Sequence, residues 1–187
     1  MNTIIDILRF HELTDKSQKA LDALKRSGSR TVEEGVARIY VPSLYRKANV
    51  LYFIAMESGE KFLCLCSSGE LPKAFSGNDE TEEGLKLRKA PLTPGNARAL
   101  QELFPFTSPV SLRDKRTTVG CGDRLGMASA AHIRAVRKYN AYPVLAQQSI
   151  RELNYSKRSF ESIVADAAFL VFQEGYEGGW GADGDHL

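Results

Sequence analysis

The sequence lacks a strong excess of charge and lacks any long hydrophobic run. Of 187 residues, 25 are basic and 23 are acidic, and the two kinds are mixed along the chain. A basic stripe for nucleic acid is therefore not predicted. The longest apolar run, Val50–Met56, is far below the roughly 20 residues of a membrane helix. The acidic residues near the N-terminus do not fit a signal peptide, so we expect a cytoplasmic protein that binds neither nucleic acid nor a membrane.

Cysteine is scarce as well, with only Cys64, Cys66 and Cys121 in the chain. An odd number of cysteines, two of them at i and i+2 spacing, is a poor framework for disulfides. Cys-x-x-Cys repeats and histidine partners at zinc-site spacing are missing from the sequence. We predict three reduced thiols packed as small apolar groups, which agrees with a reducing cytoplasm.

The patterns that are present first predict an antiparallel α+β domain. A polar amphipathic helix is predicted over residues 15–27. Three β-rich segments follow at residues 35–45, 48–57 and 61–67. The dipeptide Ser58-Gly59 between the last two is typical of a hairpin turn. The polar stretch 69–91, with its acidic residues, predicts a surface loop.

A helix is next predicted from Thr93-Pro94 to about Phe104, because a hydroxyl cap followed by proline is a common helix start. The prolines and charges of residues 105–116 predict a linker, so we place a domain boundary near residue 112. The predicted domains are therefore 1–112, with the antiparallel sheet, and 113–187.

Residues 113–187 show alternating strand and helix patterns, which predict parallel βαβ units. The predicted strands are residues 117–121, 142–146 and 181–187, and the predicted helices are residues 129–138 and 160–174. The overall fold class is thus α/β, with an antiparallel α+β domain followed by βα units.

Three polar clusters lie at or near the carboxyl ends of the predicted strands, and we take them as candidate substrate-binding residues. The candidates are Asp123, Arg124, Gln147, Gln148, Arg151 and Asp183. In parallel α/β proteins the carboxyl ends of strands meet on one face, which is where ligands bind. A plainer interpretation is that Asp123 caps the next helix and pairs with Arg124. The two glutamines equally fit satisfied amides at a strand end.

The third cluster, Asp183-Gly184-Asp185-His186, is too polar for an ordinary buried strand. Imidazole and carboxylate groups suit a divalent cation, and a neighbouring carboxylate can act as a base. On a regular strand Asp183 and Asp185 share a face and His186 points away. We therefore expect a bulge, or a strand end, near Gly184 if all three contribute.

Three segments together resemble the tagaturonate epimerase family of bacterial hexuronate catabolism. They are TVGCGDRLGMASAAHIRAV, PVLAQQSIRELN and FQEGYEGGWGADGDHL. The resemblance is strong from Thr117 to Leu187 and weak over the first 112 residues. It implies a TIM-barrel-like domain behind an N-terminal domain, and interconversion of D-tagaturonate and D-fructuronate. It also implies Asp185 as proton acceptor and His186 as a ligand of a divalent cation, with manganese, nickel or zinc as candidates.

A complete barrel takes roughly 250 residues, whereas residues 117–187 hold at most three βα units. The resemblance places the family's proton donor and other metal ligands further along the barrel. We therefore expect a truncated barrel and a chain that is inactive by itself. Two alternatives stay open: a non-catalytic domain that binds a sugar acid or forms homo-oligomers, and another metal-dependent sugar isomerase or aldolase.

Overall fold

The computed structural model describes residues 3–13, 18–123 and 125–185. The chain forms two compact units, Met1–Leu92 and Thr93–Leu187. Among the described residues, no helix has both the length and the apolar character needed to cross a bilayer.

The described residues of the first unit form two α-helices and seven strands. The helices are α1 (Ile4–Phe10) and α2 (Gln18–Arg26). The strands are β1 (Thr31–Glu34), β2 (Ala37–Tyr40), β3 (Tyr45–Lys47), β4 (Val50–Glu57), β5 (Glu60–Ser67), β6 (Asn78–Glu82) and β7 (Leu85–Pro91). They form one sheet in the order β1-β2-β4-β5-β7-β6, and β3 also pairs with β4. All neighbouring strands are antiparallel, which confirms the predicted antiparallel sheet.

The predicted hairpin is present between β4 and β5. Glu57 pairs with Glu60, and Ser58 and Gly59 between them have φ of 51° and 85°. Two positive φ angles give a turn whose twist matches that of the flanking strands. Ser58-Gly59 therefore fixes the register of the two central strands.

Both faces of β4 are buried, which explains its continuous apolar sequence. Phe53 packs into a core that includes Ile4 and Leu8 of helix α1. On the other face, the ring of Tyr52 lies 6.0 Å from that of Phe75.

The prediction of a surface loop over residues 69–91 was wrong, because β6 and β7 lie within it. Leu85 and Leu87 of β7 are buried, while every residue of β6 is exposed. The acidic residues of β6 face basic partners on β7, with Asp79 Oδ1 2.6 Å from Arg88 Nε. An edge strand protected by charge resembles a loop in composition.

In the second unit, the part of the chain that the structure describes forms four α-helices and three strands. In chain order they are α3 (Pro94–Leu103), β8 (Thr118–Gly120), α4 (Ser129–Val136), β9 (Tyr142–Ser149), α5 (Ile150–Ser156), α6 (Phe160–Glu174) and β10 (Gly181–Asp185). The strands form a parallel sheet in the order β10-β9-β8, which confirms the predicted parallel βαβ units. Helix α5 was not predicted.

Helix α3 begins as predicted: Thr93 Oγ1 accepts from Asn96 N at 3.3 Å, and Pro94 is the first helical residue. Its end packs on α6, where the rings of Phe104 and Phe172 are 5.1 Å apart. The compact units divide before this helix. The predicted domain boundary near residue 112 stays a prediction.

Candidate functional site

The carboxyl ends of the three parallel strands lie side by side. Strands β9 and β10 pair in parallel with a register shift between Gly181 and Ala182, after which Asp183 lies opposite Gln147 and Gly184 opposite Gln148. On the other side of β9, Gly120 of β8 pairs with Val144. The segments that follow these strands therefore share one edge of the sheet, as the sequence predicted.

A cleft of about 940 Å³ opens at this edge. Its described lining residues are Gly122, Asp123, Leu125, Gln147, Gln148, Ser149, Arg151 and Glu152. Four predicted candidates, Asp123, Gln147, Gln148 and Arg151, are thus brought together. Asp183 lies on the neighbouring strand end, is exposed, and does not line the cleft.

Asp123 is buried, and its carboxylate accepts several hydrogen bonds from the loop that follows β8. Oδ1 accepts from the N–H groups of Leu125 and Gly126 at 3.2 and 3.0 Å. Oδ2 accepts from the N–H groups of Ala128 and Ser129 and from the Ser129 hydroxyl at 3.4 Å. This is the capping interpretation of Asp123: the carboxylate folds the loop and begins α4.

Gln147 and Gln148 occupy different environments. A Cβ atom at Gly120 would lie 2.4 Å from Gln147 Oε1, so the Gln147 side chain lies directly over this glycine. Gln148 is only 2 % exposed, and its Oε1 has no hydrogen-bond partner in the described part of the chain. A buried acceptor without a donor is uncommon, which distinguishes Gln148 from a satisfied strand-end amide.

Helix α5 brings Ser149, Arg151 and Glu152 to the cleft. Ser149 and Glu152 form a reciprocal capping box: Glu152 N donates to Ser149 Oγ at 3.4 Å, and Ser149 N donates to Glu152 Oε2 at 3.3 Å. The sequence Ser-Ile-Arg-Glu carries the signature of this motif, so the helix and both residues were detectable. Arg151 is exposed and, within the described ranges, has no ion-pair partner.

The remaining predicted site residues are Arg124, Asp185 and His186. Arg124 and His186 lie outside the described residues. The backbone of Asp185 ends β10, opposite Ser149. Over residues 3–13, 18–123 and 125–185, no group of three His, Cys, Asp or Glu side chains is arranged to hold a metal ion.

The three cysteines are free and buried, as predicted. Burial raises the pKa of the Cys64 thiol and that of Cys121. Because the thiolate is the reactive form, neither is an activated nucleophile at neutral pH. Cys121, at the start of the loop after β8, is thus a packing residue of the second core.

Comparison with known proteins identifies the family of the chain. The profile of the tagaturonate epimerase family matches residues 40–187, so the likeness extends well before Thr117. The tagaturonate/fructuronate epimerase of Thermotoga maritima is 33% identical over 150 residues, which cover 80% of this chain and 31% of that protein.

Crystal structures of the fructuronate-tagaturonate epimerase of Cohnella laeviribosi share the fold. The complex with one glycerol has a TM-score of 0.73 and 35% identity, over 91% of this chain and 33% of that one. The native structure has a TM-score of 0.72 and 37% identity, with the same coverage. The chain spans about a third of the length of these relatives. With both the family profile and the fold in agreement, this chain belongs to the tagaturonate epimerase family.

Proposed function

We propose that this chain is part of an epimerase that interconverts D-tagaturonate and D-fructuronate, and that the cleft binds the sugar acid. One observation carries the proposal: a polar cleft lies at the carboxyl ends of parallel strands, in a segment matched by the family profile. The relatives from Thermotoga maritima and Cohnella laeviribosi are named as epimerases of tagaturonate and fructuronate.

The groups that line the cleft suit a polyhydroxylated acid. Arg151 offers an exposed guanidinium, which can bind a carboxylate through two parallel hydrogen bonds. Gln148 Oε1 has no donor among the residues that the structure describes, and it can accept a hydrogen bond from a substrate hydroxyl. Asp123 has a different role in this proposal, because its oxygens already accept loop N–H groups. It holds the loop in place and does not bind substrate.

The three parallel strands are, in this proposal, the first strands of a truncated (β/α) barrel. Ligands bind at the carboxyl face of such barrels, in the loops after the strands. The cleft in the second unit has this position relative to its own strands.

The divalent cation is also part of the proposal, with His186 as a ligand and Asp185 as the proton acceptor. The described residues do not form a metal site by themselves. A catalytic metal takes about three protein ligands, and the family likeness gives this chain one. The 187-residue chain is therefore proposed to be inactive by itself. Its proposed location is the cytoplasm.

Titration of the isotopically labelled chain with D-tagaturonate and with D-fructuronate tests the site by NMR. We expect amide shifts at residues 122–128 and 147–152. The variant Arg151→Gln should weaken binding by about tenfold or more, as expected for a lost charge-assisted hydrogen bond. Arg98→Gln is the matched control, because Arg98 pairs with Glu161 and does not line the cleft. Binding that Arg151→Gln leaves unchanged, or shifts confined to the first unit, would contradict the site.

A conversion assay with added manganese, nickel or zinc tests the inactivity of the chain. We expect no interconversion of the two sugar acids by the 187-residue chain at any of these metals. Turnover would overturn that part of the proposal and leave the binding site standing.

A second candidate is a non-catalytic domain that forms homo-oligomers. Leu125, Met127 and Tyr155 are exposed by 73%, 74% and 93%, and exposed apolar side chains of this size often mark contact surfaces. Light scattering separates the candidates. A concentration-dependent oligomer without sugar-acid binding favours this second function, whereas a monomer that binds the sugar acid favours the first.

A further inference from the structure

Two segments border the cleft. The first rim segment is the loop of residues 121–128, and the second is residues 149–158, which include α5. Both contact Asp166, a residue of α6 that does not itself line the cleft.

The first rim segment meets Asp166 at Gly126. Gly126 has a φ of 72°, and a Cβ atom there would lie 2.1 Å from Asp166 Oδ2. The loop backbone therefore lies against this carboxylate with no room for a side chain. The N–H of the same glycine donates to Asp123 Oδ1 at 3.0 Å, so Gly126 contacts both aspartates.

The second rim segment meets Asp166 through Arg158. The Arg158 guanidinium forms an ion pair with Asp166 Oδ2. Its backbone N–H donates to Leu153 O of α5 at 3.1 Å. The preceding Lys157 has a left-handed conformation, φ 53°, which turns the chain from α5 towards α6. Arg158 thus connects the end of α5 to the side chain of Asp166.

Charge and burial show that this is more than a surface ion pair. The side chains of Arg158 and Asp166 are only 22% and 25% exposed. Burial, and then the charge of Asp123, raise the pKa of Asp166, whereas Arg158 lowers it. The Arg158 guanidinium therefore offsets part of the cost of burying the Asp166 carboxylate beside the charge of Asp123.

We propose that Asp166 is a positioning residue that fixes the two rim segments relative to each other, through Gly126 and through Arg158. The shape of the cleft then depends on a side chain behind it. The inference needs no substrate, so it is tested separately from the proposed function.

Hydrogen exchange of the 187-residue chain without ligand tests the proposal. In Asp166→Ala, exchange should accelerate by about tenfold or more in both rim segments, because the variant removes the charge-assisted hydrogen bond to Arg158 and the packing against Gly126. Asp166→Asn keeps the shape and removes the charge, so it should loosen the second rim segment and leave exchange in the first segment close to that of the unchanged chain. Glu161→Gln removes an exposed ion pair on the same helix and should leave both segments unchanged.

A charge reversal provides the readout that a simple packing role does not predict. Arg158→Asp alone should loosen the second rim segment, and the double variant Arg158→Asp with Asp166→Arg should restore much of its protection. The midpoint of urea unfolding, followed by the emission of the buried Trp180, reports global stability in parallel. Three outcomes would each overturn the proposal: loosening of only one segment in Asp166→Ala, loosening that follows the urea midpoint of global unfolding, or no restoration of protection by the double variant.

Discussion

In the first unit the charged residues protect an edge, whereas in the second they surround a cleft. Strand β6 exposes all its residues, and its carboxylates pair with basic side chains at 2.6 and 2.9 Å. The second unit instead exposes more large apolar side chains than the first unit does. The exposed ones in the first unit are Phe10 and Val36, and those in the second unit are Val110, Val119, Leu125, Met127, Tyr139, Ile150 and Tyr155.

This difference separates a scaffold from a site. A sheet with a charged edge does not invite further strands, and its central strand is already buried on both faces. Apolar side chains beside a polar cleft are typical of surfaces that bind something. The candidate site therefore lies in the second unit, and the following predictions test the contrast.

The largest effect is expected from truncating one core aromatic residue in each unit. Phe53 and Phe172 are both 0% exposed, so Phe53→Ala and Phe172→Ala should each lower the free energy of unfolding by about 3–5 kcal/mol. Urea unfolding followed by the emission of Trp180, the single tryptophan, reports the second unit. Phe172→Ala should move that midpoint more than Phe53→Ala. Equal shifts would mean that both units unfold together.

The next effect concerns a buried carboxylate in the second unit. Glu174 is 3% exposed and accepts from Arg134 Nε and Nη2 at 2.9 and 2.7 Å. Arg134→Ala should cost about 2–3 kcal/mol, less than for a fully buried pair because Arg134 is 42% exposed. Arg9→Ala breaks an exposed pair in the first unit and should cost less than about 1 kcal/mol. Equal costs in urea unfolding would remove this contrast.

A smaller pair of opposite effects is expected at two left-handed residues. Gly59 in the first unit has φ 85°, with open space around a Cβ position. Gly59→Ala should therefore cost about 1–2 kcal/mol from backbone strain alone. Lys157 in the second unit has φ 53°, so Lys157→Gly should stabilise by less than about 1 kcal/mol. Thermal unfolding of both variants measures the signs. Gly59→Asn is the control, because asparagine tolerates this conformation, and a destabilised Lys157→Gly would contradict the strain argument.

The smallest effect is a pH dependence of opposite sign in the two units. The hydrogen bond from Arg88 lowers the pKa of Asp79 below its ordinary value of 3.8. Asp79 therefore stabilises the first unit above that value, and this stability is lost as the pH falls through the lowered pKa. Burial raises the pKa of Asp166 above 3.8. Its contribution is therefore fully present below pH 3.8 and is lost as the pH rises through the raised pKa.

Urea midpoints measured from pH 7 down to pH 3 check these signs, with each contribution expected to stay below about 1 kcal/mol. Asp79→Asn should reduce the loss of stability that the first unit shows at low pH, as measured by hydrogen exchange of the strands of that unit. Asp166→Asn should flatten the opposite trend in Trp180 emission. The same sign in both units would break the comparison.

Features set by neighbouring residues were predictable from the sequence. The bounds of α6 agree with the predicted 160–174, because the Ser159 side chain caps its start and Gly175 ends it in a left-handed conformation. The hairpin at Ser58-Gly59 and the cap at Thr93 are local in the same way. Strand β6 was missed because its polar residues depend on partners supplied by β7.

The candidate site was predictable as a location and less so in its roles. The edge shared by the strand ends follows from parallel topology, and four of the predicted residues line the cleft. The sequence left open whether Asp123 binds a ligand or caps a helix. Its hydrogen bonds to loop N–H groups decide for the cap. Glu152 was missed because α5 is only 7 residues long.

The sequence by itself therefore determined the family, the strand-end location of the site and the locally coded turns and caps. These depend on the order of residues and on interactions between neighbours. Only the tertiary structure decided that β6 is an edge strand, that Gln148 Oε1 is buried with no partner among the described residues, and that Asp166 contacts both rim segments. Such properties depend on atoms that the fold brings together from distant parts of the chain, and no local pattern specifies them.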